Sequence, residues 1–75
     1  MQTMMLNELS NNVDARVQTI DDANLAQRML MFGVRVGTLL RVVQHSKTRG
    51  VVILVGGSRV ALGKEAVDVI RVCVD

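Results

Sequence analysis

The chain has 75 residues, 49% of them apolar, with a formal net charge of +2. A chain this short makes one domain at most, read here as residues 1–75, and buries only about 60% of the surface its unfolded form exposes. That leaves little room for a deep cleft, a cofactor and a catalytic constellation together. The core must be aliphatic, because Phe32 is the sole aromatic residue. The single cysteine, Cys73, excludes an internal disulfide and a four-cysteine zinc site and fits a reducing compartment. No run approaches the ~18 apolar residues of a membrane span, and no signal-peptide pattern opens the sequence, so a cytoplasmic location without membrane insertion is expected.

Charge is unevenly placed. Met1 to Gly33 carries four acidic and two basic residues, whereas Val34 to Lys64 carries Arg35, Arg41, Lys47, Arg49, Arg59 and Lys64 and no acid. A basic middle suits nucleic acid, acidic headgroups or an acidic protein surface, and equally an ordinary solvated face.

In chain order, Met1–Leu9 places Met5, Leu6 and Leu9 on one face of a single helical turn, read as a lid over one end of the fold. Ser10, Asn11 and Asn12 are turn formers. Val13–Ile20 alternates, with Val13, Ala15 and Val17 on one side, which predicts a half-buried strand. The alternation fails at Thr19-Ile20, the mark of a bulge or a strand end. Asp21 or Asp22 then caps a helix whose apolar stripe runs Leu25, Ala26, Met29, Leu30 and Phe32, with Phe32 expected in the core. Gly33 suits the left-handed position that ends a helix. Val34–Gly37 reads as a turn, and Thr38–His45 as a strand with apolar residues on both faces. Ser46–Gly50 is a loop. Val51–Val55, Gly56-Gly57 and Ser58–Leu62 form a hairpin. Gly63–Ala66 reads as one helical turn and Ile70–Val74 as the last strand. About five short strands and one short helix after the first of them point to a mainly β fold that hides its edges by closing up.

The segment Arg28-Met29-Leu30-Met31-Phe32-Gly33-Val34-Arg35-Val36-Gly37-Thr38 resembles the first signature of the FeoA family. Gly57-Ser58-Arg59-Val60-Ala61-Leu62-Gly63 resembles its second, and Glu65-Ala66 with Ile70-Arg71-Val72 its closing pattern. The resemblance runs from about Leu6 to Val74. It implies a small SH3-like barrel and an accessory protein of bacterial Fe(II) uptake that works with the membrane transporter FeoB and its GTP-binding domain. It extends to domains at the C-termini of metal-dependent repressors, but no DNA-reading helix precedes the matching segment here. The chain has Val36 where the family usually has proline, which implies a looser turn before Gly37.

Chemistry is sparse. There is no phosphate-cradling glycine motif and no nucleophile elbow, so no catalytic residues and no cofactor are expected. His45 and Cys73 are able to ligate metal, but no spacing supplies the third and fourth ligands, and no metal site is nominated. They read as an edge residue and a half-buried strand residue. RNA binding by a small basic barrel is the alternative, weakened by the lack of an aromatic stacking platform. The favoured site is a protein interface at the helix-to-strand corner, Arg35, Val36 and Gly37, continued along one strand face by Leu39, Arg41 and Val43. Its partner is a FeoB-like transporter or a second copy of the chain.

Overall fold

Alternation decides the strands. In Asp14–Ile20 (β2), Ala15 and Val17 are buried while Asp14, Arg16 and Gln18 are exposed. In Val51–Val55 (β4), Val51, Ile53 and Val55 point inward and Val52 and Leu54 lie half-covered on the other side. This period of two is what a sheet curled over one core requires. The computed structural model describes residues 2–74. Its other strands are Gln2–Met5 (β1), Leu39–His45 (β3), Ser58–Leu62 (β5) and Ile70–Val74 (β6), with helices at Ala23–Met29 (α1) and Lys64–Val67 (α2). Two 3-10 turns occupy Leu6–Glu8 and Leu30–Phe32.

All six strands belong to one antiparallel sheet in the order β1-β6-β2-β3-β4-β5. It is the SH3-like small-barrel architecture. Val17 faces Val72 across β2 and β6, Ala15 faces Leu40 across β2 and β3, and Val42 faces Ile53 across β3 and β4. These pairs build the core, in which Val42, Ile53, Val67, Ile70 and Val72 are fully buried. Each such side chain contributes about 1.5–3 kcal/mol by leaving water. Among the described residues no polar or charged residue is buried. The radius of gyration is 10.7 Å, against roughly 11 Å expected for the length.

Several expectations hold in detail. The register of β2 against β6 shifts between Val17 and Thr19, where the alternation breaks. Thr19 Oγ1 is buried there without a hydrogen-bond partner. Asp22 caps α1 by accepting from the Leu25 N–H at 3.0 Å. Gly56 and Gly57 both have positive φ, 55° and 80°, as a two-residue hairpin turn of matching twist needs.

Two expectations change. Gln2–Met5 form an edge strand, and only Leu6–Glu8 makes the expected helical turn, so the sheet has six strands among the described residues and α1 follows the second. Met4 faces Val72 and Thr3 faces Cys73. Pairing with β6, at the other end of the chain, decides the local structure of β1. Leu6 and Leu9 do reach the core, as the lid reading required. Phe32, expected inside, is 49% exposed. The α-helix stops at Met29, and the tighter 3-10 turn that follows rotates Leu30, Met31 and Phe32 off the buried stripe of Leu25 and Met29.

Candidate protein-docking site

The corner between α1 and β3 is held by its backbone. Val34 N–H donates to the Met29 carbonyl at 3.0 Å and Gly33 N–H to the Leu30 carbonyl at 3.0 Å, with Gly33 at φ 75°. This pair of bonds is the Schellman closure of a helix end, and the fully buried Val34 anchors it. A second turn follows directly. Thr38 N–H donates to the Arg35 carbonyl at 3.0 Å, with Gly37 at φ 93°, the geometry of a type II turn. The Thr38 hydroxyl accepts from the Arg35 N–H at 3.1 Å and donates to the Gly33 carbonyl at 3.4 Å. Gly37 N–H donates to the Val17 carbonyl and Val17 N–H to the Thr38 carbonyl, at 2.8 and 2.9 Å. Arg16 Nη1 completes the tie to β2 by donating to the Gly37 carbonyl at 3.1 Å.

Rigid in its backbone, the corner leaves its side chains uncovered. Leu30, Met31, Phe32, Val36 and Leu39 are the exposed large hydrophobic residues among those described, and all fall within this one segment. Met31 is the extreme, at 82% exposure. A shallow groove of about 440 Å³ lies between α1 and the turn, walled by Ile20, Ala23, Ala26, Leu30, Arg35 and Val36.

Of the residues singled out from the sequence, Arg35, Val36, Gly37 and Leu39 lie at this corner. Gly37 contributes its backbone. Arg41 lies further along the outer face of β3, where its Nε donates to Asp14 Oδ1 at 2.8 Å. That hydrogen bond, helped by the attraction between the two charges, holds the Asp14 carboxyl below its ordinary value and the Arg41 guanidinium above its own. Val43 is half-buried at the register shift between β3 and β4. Leu30, Met31 and Phe32 were not singled out. The signal was Met31 itself, an apolar residue off the helical stripe, next to the lone aromatic and a glycine.

The basic residues divide into tied and free. Arg41, Arg49 and Arg71 are paired with Asp14, Asp68 and Asp21. Arg35 on the groove wall and Arg28 in the last turn of α1 have no acidic partner among the described residues. His45 Nε2 lies 2.8 Å from the Leu9 carbonyl, to which its N–H donates, so this exposed histidine ties the end of β3 to the chain after β1. Cys73 is half-buried in β6. No three His, Cys, Asp or Glu side chains converge among the described residues, and no helix is long and apolar enough to cross a membrane.

The FeoA domain family model matches residues 4–74. The chain belongs to the FeoA family. This family is associated with ferrous iron transport and consists of small accessory domains. The chain is similar to the crystal structure of an iron uptake regulatory protein, FeoA, at 25% identity and a TM-score of 0.84, covering 96% of each chain. It is also similar to the solution structure of iron(II) transport protein A from Clostridium thermocellum, at 26% identity and a TM-score of 0.83, covering 95% of this chain and 45% of that one. T. acidophilum IdeR shares the fold, with a TM-score of 0.85 at 19% identity, over all of this chain and 35% of that one. No curated protein matches the chain. Val36 is the residue before Gly37 in the type II turn.

Proposed function

We propose that this FeoA-family chain is a non-enzymatic, single-domain accessory protein of bacterial Fe(II) uptake that docks from the cytoplasm on a FeoB-like membrane transporter. The observation that carries the reading is the gathering of the exposed large hydrophobic residues, among those described, on one hydrogen-bonded corner, Leu30 to Leu39. Monomers rarely keep such a patch without a partner, and a rigid apolar surface binds at low entropic cost. Docking alters gating, GTP hydrolysis or assembly only if the protein prefers one transporter state over another, and the size of the effect is that difference in affinity.

Binding of the purified protein to its host's ferrous-iron permease in nanodiscs tests this. Leu30→Ser combined with Phe32→Ser should weaken binding at least about tenfold, since buried anchors of this kind commonly carry ~2 kcal/mol or more. Affinity unchanged in that folded variant removes the corner from the interface. RNA keeps one observation in its favour, the exposure of Phe32. A single ring set among aliphatic side chains gives one stack and no platform. Salt-sensitive RNA binding lost in Phe32→Ala would favour that reading.

A further inference from the structure

Resting on the docking reading, we infer that the groove beside the corner receives an amphipathic helix of the partner, apolar on one face and bearing a carboxylate that pairs with Arg35. Three observations lead there. The first is that the corner has no strand edge to offer. The Schellman closure, the type II turn and the bonds to Val17 and Thr38 engage the N–H groups of Gly33, Val34, Arg35, Gly37 and Thr38, leaving that of Val36 as an isolated donor among the described residues, and the free edges of the sheet belong to β1 and β5. An occupant of the groove finds no ladder to extend and must satisfy its own backbone, which a helix does and an added strand does not. The second is shape. Ala23 and Ala26, one turn apart, form a low floor between Ile20, Leu30 and Val36, the relief into which one large apolar side chain of a facing helix fits. The third is charge. Arg35 stands on the wall with no acidic partner among the described residues, and from Ala23 to Lys64 the chain has no acidic residue. A second copy packing its own groove there in two-fold symmetry would bring a lining that holds Arg35 and no acidic residue. An acidic partner brings the missing charge instead.

The test titrates isotope-labelled protein with two synthetic helical peptides that share one leucine stripe. One carries glutamates at the polar positions beside it, the other lysines. The glutamate peptide should shift the amides of Ala23, Ala26, Leu30, Arg35 and Val36 and bind at least about tenfold more tightly than the lysine peptide. Arg35→Glu should abolish that preference and Arg35→Lys should keep most of it. Equal binding of the two peptides, shifts elsewhere, or an Arg35→Glu variant that behaves as wild type overturns the inference. Displacement of the glutamate peptide by polyuridylate or anionic vesicles at matched charge overturns it in favour of a phosphate-bearing partner. The permease separates the two readings. Permease binding indifferent to Arg35→Glu leaves docking standing and removes this inference. A permease that never binds, beside a protein that selects the acidic peptide, removes the docking reading and leaves the groove's chemistry.

Discussion

The β4–β5 hairpin and the α1–β3 corner are both rich in aliphatic residues, yet they use them in opposite ways. In the hairpin Val51, Ile53, Val55 and Leu62 are buried, and the cross-strand ladder and the core hold the same residues. At the corner the order comes from peptide hydrogen bonds and two positive-φ glycines, Gly33 and Gly37, while Leu30, Met31, Phe32 and Val36 remain in water. Order and burial are separable, and a surface that is ordered without being buried is ready to bind. Substitutions in the hairpin should therefore read out in stability, and substitutions of corner side chains in affinity.

The sharpest way to break this contrast starts in the core. Ile53→Ala should cost about 2–5 kcal/mol in denaturant unfolding, because Ile53 is fully buried and its neighbours fill the space only partly. The fraction that still folds should keep its partner affinity. The Leu30→Ser and Phe32→Ser double variant should do the reverse, staying within about 1 kcal/mol of wild type in stability while losing binding. A comparable loss of stability in both variants would mean that the corner is part of the core, which would contradict the contrast.

A smaller effect is expected at Val36. Its N–H donates no hydrogen bond among the described residues, and it occupies the position of a type II turn that proline favours. Val36→Pro should stabilise the protein by about 0.4–1 kcal/mol, mainly by restricting the unfolded chain. A loss of stability would show that the turn departs from type II geometry.

The smallest effect lies in the exposed Asp14–Arg41 pair. The Asp14 carboxyl titrates below its ordinary value when folded, so the pair's contribution is complete above that ordinary value and is lost as pH falls through the lowered one. In a carboxyl-resolved titration Arg41→Gln should return Asp14 toward the ordinary range. Arg41→Glu would set a second carboxylate opposite Asp14 and should raise the Asp14 carboxyl further than Arg41→Gln does.

Much of the fold was legible in the sequence because its signals are local. The Asp22 cap, the break at Thr19, the Gly33 helix end and the Gly56-Gly57 hairpin each rest on a few adjacent residues. The edge strand β1 was not legible. Met5, Leu6 and Leu9 fit a helical turn, and the contact that decides for a strand, with Val72 and Cys73 of β6, lies at the far end of the chain. The corner was half legible. Arg35, Val36 and Gly37 stood out as a helix-to-strand corner continued by one strand face from Leu39. Leu30 and Phe32 looked like core because a helical period assigns them to the buried stripe, and that period holds only as far as Met29. Nothing in the residue pattern ties Arg41 to Asp14. The cross-strand register does so, and Arg35, the cation lining the groove, has no acidic partner among the described residues.

The most direct measurement is an amide chemical-shift map of the labelled protein titrated with the soluble cytosolic part of its host's ferrous-iron permease. The account predicts saturable shifts concentrated from Ala23 to Leu39, with the buried hairpin residues Val51 to Val55 little changed. A saturable map centred elsewhere, such as the depression lined by Gln2, Met4, Leu9 and Val13, would contradict the claim that the exposed corner is the docking surface.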